Sequence, residues 1–205
     1  MPELYVMFSH TNTGMGRMIR AVTQSRYNHV SISLRRDLAV CYSFARRNKH
    51  NALAGGFVAE DAGRLCDEGD IRVRVCRVPV SQRQFDAARN MLMVCRAQPH
   101  RTIYNTYGAM ASVAGFHLAL PGAFTCVEFV SRCLGLRMIQ VQSLLHRLEP
   151  YTVYEGSYLE YTQAAVQRQG EYFHPLSTAD VVRRNAGHFG DLSLRLMCKV
   201  YGKIG

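Results

Sequence analysis

Residues 124–136 read FTCVEFVSRCLGL, directly after Pro121-Gly122, and the reading given to Cys126 within them decides the architecture. Thr125 is a helix-capping residue type, and Cys126, Phe129, Val130 and Cys133 recur at the spacing of one helix face. The stretch is predicted to be a helix beginning near Thr125 and ending by Gly135, with Cys126 in its first turn. Unpaired backbone N–H groups and the helix dipole favour a thiolate there. The same geometry supplies one half of an oxyanion hole for acyl transfer. Cys126 is therefore a candidate nucleophile; the alternative is a small buried core thiol, a common fate for cysteine.

A nucleophilic cysteine needs a base, and the chain has eight histidines. His10, His50, His100, His174 and His188 lie in polar or turn-like surroundings, and His117 and His146 in helical or loop segments. His29 opens the alternating run HVSISL (29–34), where a sheet would hold its ring. Glu128, two residues past Cys126, falls on another helix face and is not expected to act on the thiol directly.

Working outward, ELYVMFS (3–9) reads as a strand that stops at the polar loop SHTNTG, and MGRMIRAVTQS (15–25) as a short helix. Gly14-x-Gly16 before it is too short for a dinucleotide fingerprint and reads as a turn. HVSISL and LAVCYSFA (38–45) form an antiparallel pair joined through the charged turn RRD. The Gly-rich NALAGGFVAEDAGRL (51–65) reads as a long loop carrying a short strand. IRVRVCRVPV (71–80) reads as a half-buried strand with one arginine-lined wet face. Ser81 caps the amphipathic helix that follows and Pro99 ends it. Two buried helical segments flank the Pro-Gly loop at 121–122. A tyrosine-rich stretch (151–173), a capped helix STADVVRRN (177–185) and a last strand LSLRLMCKV (192–200) complete the chain. The whole is predicted as one α+β domain over 1–205, with 137–205 as a C-terminal elaboration.

Composition narrows the classes. The 205 residues are 48% hydrophobic and 20% charged, as expected of a globular domain. The formal charge of +10 would suit a polyanion if it were gathered, but the arginines are scattered as pairs. It reads as general solvation, and no nucleic-acid partner is expected. The N-terminus lacks the basic start and apolar core of a signal peptide, and no run is long enough to span a membrane. The seven cysteines are odd in number and none are spaced Cys-x-x-Cys, so neither a disulfide framework nor a metal site is indicated. Together these features point to a reducing cytoplasm.

The ordered set YNHVSISL, YSFARR, GGFVAE, YNTYG and FTCVEFVSRCLG resembles the circularly permuted, NlpC-like branch of the papain fold, from about Leu4 to about Leu136. In that branch the strands bearing the histidine precede the helix bearing the cysteine. The resemblance implies an antiparallel sheet packed against the cysteine helix, and a Cys-His hydrolase or acyltransferase. Cys126 would attack a carbonyl, His29 would accept and return the proton, and a polar group on the next strand would orient the ring. That position falls near Ser43, where relatives more often have a carboxylate or amide; Glu60 is the alternative orienter.

Tyr104 and Tyr107 are candidates to line the cleft or donate to the oxyanion, and Arg46 to receive a substrate carboxylate. The leading expectation is an amidase acting on peptide-type bonds without metal or organic cofactor. The permuted branch also includes lipid acyl hydrolases and acyltransferases, for which the positive charge would suit peripheral contact with an anionic membrane. A third reading keeps the fold as a binding protein with an idle thiol. Oligomeric state is left open by the sequence.

Overall fold

A computed structural model describes residues 1–10, 26–99 and 101–201. The helix expected over 15–25 and the Gly14-x-Gly16 turn lie outside the described residues. The architecture is α+β, built on a mixed, mostly antiparallel open sheet of eight strands in the order β7-β6-β4-β3-β2-β1-β5-β8. These are β1 (Glu3–Ser9), β2 (His29–Ser33), β3 (Cys41–Asn48), β4 (Asn51–Glu60), β5 (Arg72–Pro79), β6 (Ile103–Tyr104), β7 (Ala123–Phe124) and β8 (Thr152–Ser157). Only β6 and β7 pair in parallel among the described strands. The helices are α1 (Ala62–Leu65), α2 (Gln82–Ala97), α3 (Thr106–Val113), α4 (Cys126–Cys133), α5 (Val141–Leu148), α6 (Tyr158–Thr162) and α7 (Thr178–Tyr201).

The near-continuous apolar run of β1 has a direct cause: both faces of the sheet are covered. Leu4, Val6 and Phe8 point to one side, where α2, α4 and α5 supply Leu92, Phe129 and Leu144. Tyr5 and Met7 point to the other, under Ala62, Cys66 and Tyr158. β5 is likewise covered on both faces along its middle, so the expected arginine-lined wet face narrows to Arg72 and Arg77, which stay exposed. Val73 and Val75 go to one layer and Cys76 and Val78 to the other. Arg74 meets Glu155 at 2.7 Å instead of water.

Two other expectations are corrected. Residues 51–60 form a full ten-residue strand with Gly55 and Gly56 in its interior. A Cβ at Gly55 would lie 2.6 Å from the Ala45 carbonyl oxygen, and one at Gly56 would lie 2.3 Å from the Arg47 guanidinium. These glycines permit close strand packing and do not mark a turn. Residues 192–200 continue α7 as helix. LSLRLMCKV alternates, but the residues that pack inward, His188, Leu192 and Leu196, are four apart.

α4 is seated on the sheet by aromatic contacts. Phe44 of β3 lies 5.0 Å from Phe129, and Phe57 of β4 lies 5.7 Å from Phe129, ring centre to ring centre. Phe129 is completely buried. Phe129→Ala is expected to lower unfolding free energy by about 3–5 kcal/mol, measured by denaturant titration. A loss under about 1 kcal/mol would mean that the helix is not anchored through this ring.

Candidate active site

Thr125 is extended (φ −79°, ψ 168°), and its hydroxyl accepts from the Glu128 N–H at 3.1 Å. The Glu128 carboxylate accepts in return from the Thr125 N–H at 2.8 Å. This capping box starts α4 at Cys126, as the sequence predicts for the cap. Glu128 is thus a structural partner in the cap of α4 and also meets His117 at 3.1 Å. Helix geometry leaves the Cys126 N–H without an intrahelical acceptor, available to a developing oxyanion.

His29 is the first residue of β2, locked opposite Ser9 of β1. Its Nε2 lies 3.1 Å from each carboxylate oxygen of Glu60, the last residue of β4. Both side chains are nearly sealed from water, at 10% and 5% exposure, so this is a desolvated pair in which each group needs the other. Cys126 lies close enough to the same imidazole to raise its pKa. With Nε2 committed to Glu60, the nitrogen left for the thiol is Nδ1. His29 therefore stands between Cys126 and Glu60.

The electrostatics agree with that placement. Burial opposes charge on His29, but the Glu60 carboxylate and Cys126 outweigh it and raise the pKa to about 10. Burial likewise opposes charge on Glu60, and His29, then Arg64, then the Ser43 hydroxyl outweigh it, so its pKa is lowered. The carboxylate thus favours the protonated form of the ring once it takes up a proton.

Glu60, not Ser43, is the group placed on the ring. Ser43 is completely buried on β3, and its hydroxyl has no hydrogen bond of full geometry. Its effect on the Glu60 carboxylate is the weakest of those acting there. It makes no hydrogen bond to His29. The reason is topological: the carboxylate arrives from β4, which the glycines disguise as a loop.

A partly open cleft reaches the pair and is lined by His29, Arg46, Glu60, Tyr104 and Cys126 together with Tyr172. Tyr104 ends β6 beside the thiol. Burial first, then Cys126 and Glu128, raise the pKa of its hydroxyl, keeping it a proton donor. Arg46 is present with its guanidinium 5.5 Å above the Tyr172 ring and Nη1 donating to the Lys49 carbonyl at 3.3 Å. Tyr107 is not brought to the cleft. Its hydroxyl meets Ser193 at 3.1 Å and its ring packs on Phe189, both on α7.

Two contributors escaped the sequence reading. Arg64 of α1 lies 3.9 Å from Glu60, stacks 4.2 Å over Tyr172, and donates to the Arg46 carbonyl. Glu60 ends β4 and Arg64 lies in α1, so no helical spacing rule pointed to the pair. Tyr172, from the tyrosine-rich segment, closes the cleft through contacts that no local pattern encodes. Tyr158 of the same segment is fully buried and packs on the domain itself, whereas Tyr151 is exposed.

Among the described residues no group of three or more His, Cys, Asp or Glu side chains is placed to hold a metal ion. No helix among them is long and apolar enough to cross a membrane. Comparison with protein-family models, with curated proteins and with solved structures finds no match to this chain.

Proposed function

We propose that the protein is a thiol hydrolase of circularly permuted, NlpC-like papain fold, cleaving an amide of peptide type through an acyl-enzyme. The observation that carries the reading is His29 held between Cys126 at a helix N-terminus and the buried Glu60 carboxylate. The Cys126 proton passes to His29, whose positive charge Glu60 stabilises, and the thiolate adds to the substrate carbonyl. The Cys126 N–H and the Tyr104 hydroxyl take the oxyanion. The imidazolium then protonates the departing amine, the C–N bond breaks, and an acyl-thioester remains. Water, deprotonated by His29, releases the acid and restores the thiol.

A carboxylate on the ring also weighs against an idle thiol, because an unused buried ion pair is costly to keep. The cleft wall is rich in charge, with Arg46 and Arg64 on one side and Asp67 and Asp70 on another. Such a wall suits a peptide-like substrate better than a long acyl chain. Free cysteines, six of them buried, fit the reducing compartment that the proposal assumes.

Selective alkylation tests the nucleophile. Burial pushes the thiols of Cys66 and Cys76 up to about 11 and that of Cys133 up to about 12, and raises those of Cys41 and Cys95. Cys198 is exposed and serves as an internal reference. Iodoacetamide at pH 6 is expected to label Cys126 about tenfold faster than Cys198, read by peptide mass spectrometry, and His29→Ala to erase that preference. Slower labelling at Cys126 than at Cys198 would sink the assignment.

A further inference from the structure

A second cleft lies between the turn of the β3–β4 hairpin, the start of β6 and the middle of α7. It holds about 350 Å³ and is lined by Arg47, Asn51, Arg184, Gly187, His188 and Asp191. Its volume falls within the range of roughly 300–1,000 Å³ typical of small-molecule sites.

The charges there are unbalanced. Among the described residues no carboxylate stands within ion-pair distance of Arg47 or Arg184. Arg47 is fixed by donating from Nη2 to the carbonyls of Pro99 and Thr102, at 2.5 and 3.2 Å. Burial lowers its pKa and nothing offsets that effect. The one acid on the wall, Asp191, is already engaged by Arg195 through both oxygens, at 3.0 and 3.2 Å.

Asn51 adds an observation of a different kind. It is 3% exposed, and its Oδ1 accepts from the backbone N–H groups of Leu53 and Ala54, each at 3.2 Å. Those two bonds fix the orientation of the amide, so Nδ2 is the end left over, and it has no partner. A buried donor is seldom left unpaired in a folded chain. His188 Nε2 meets the Thr106 hydroxyl at 3.0 Å, which leaves Nδ1 as its remaining polar atom.

We propose that this cleft binds the phosphate group of a small phosphorylated molecule. Arg47 is the preset anchor, Arg184 closes from the exposed side of the helix, and the Asn51 amide donates to a third oxygen. The remaining Arg47 donors, the Arg184 fork and an amide approach from different directions, which suits a tetrahedral dianion better than a planar carboxylate. The cleft has room for an organic portion beyond the phosphate. Gly55 lines both clefts, so this one backs onto the catalytic cleft through the sheet edge and is separate from it.

The test is thermal unfolding and calorimetric titration of the full chain with inorganic phosphate, glycerol 3-phosphate and acetate at constant ionic strength. Saturable binding of glycerol 3-phosphate is expected, with weaker binding of inorganic phosphate and none of acetate. Arg184→Glu on the exposed helix face is expected to weaken binding at least about tenfold, the scale of one lost charge-assisted contact. Asn51→Asp keeps the acceptor for Leu53 and Ala54 while removing the donor, and is expected to do the same. Arg183→Glu changes net charge equally and is expected to leave affinity within about twofold, since Arg183 pairs with Asp180 outside the cleft. Equal loss in the Arg183 and Arg184 variants, binding of acetate as tight as phosphate, or no saturable binding would each overturn the proposal. Inorganic phosphate binding more tightly than the ester would reduce the ligand to a free ion and overturn the assignment to a phosphorylated molecule.

Discussion

Alanine at Cys126 is expected to eliminate the acylation burst with p-nitrophenyl acetate, and alanine at His29 to slow it by about 10²-fold. The two variants probe different parts of one step. Without the thiol no thioester forms, and the tryptic peptide containing residue 126 gains no acetyl mass. Without the imidazole the thiol keeps its proton, yet a nitrophenolate still departs unaided. An anilide leaving group needs that proton, so against a peptide anilide the His29→Ala loss should widen to about 10⁴-fold. A merely structural role for His29 predicts equal losses with both substrates. Acetyl mass on Cys198 in place of Cys126, or a full burst from Cys126→Ala, would defeat the mechanism. Thermal unfolding checks that both variants fold.

How legible the site was depended on whether its signal was local. Cys126 and its cap are encoded within four residues, since Thr125 and Glu128 build the box that starts α4. His29 was readable because an alternating strand fixes its first side chain. Glu60 was harder, because its position depends on β4 forming across Gly55-Gly56, a pair that composition assigns to a loop. Those glycines are explained only by the Ala45 carbonyl and the Arg47 guanidinium pressed against them. Tyr172 and Arg64 depend on contacts between segments over a hundred residues apart in the chain, and periodicity carries no trace of that meeting. The helix over 192–200 was hidden for another reason. The helix begun at STADVVRRN runs on through Gly187 and Gly190 because His188 and Leu192 pack against α3 and β6. Local rules pointed to Cys126 and His29; the place of Glu60 on the ring and the cleft wall came from tertiary structure.

Glu60→Gln is expected to lower anilide turnover by about 10³-fold, whereas Ser43→Ala lowers it by less than about threefold. The difference follows from what each group does for the imidazolium. Glu60 is the strongest influence raising the His29 pKa, and Ser43 acts only through Glu60. Glutamine keeps the shape and one acceptor but loses the charge, so the imidazole pKa should fall from about 10 toward its ordinary 6.5. The alkaline limb of the amide-cleavage profile, which reports loss of the imidazolium that protonates the amine, should move to lower pH with it. NMR titration of the His29 ring measures the same shift without turnover. The sign for stability is fixed by linkage. With a folded pKa raised above the unfolded value, the His29 contribution is complete below about pH 6.5 and is lost as pH rises through about 10. Glu60, with a lowered folded pKa, contributes above its ordinary 4.5 and loses that contribution as pH falls. Wild-type stability should therefore decline between about pH 6.5 and 10 more steeply than that of Glu60→Gln. Equal slopes, or a larger turnover loss in Ser43→Ala than in Glu60→Gln, would remove Glu60 from its place as the residue that orients and charges the catalytic ring.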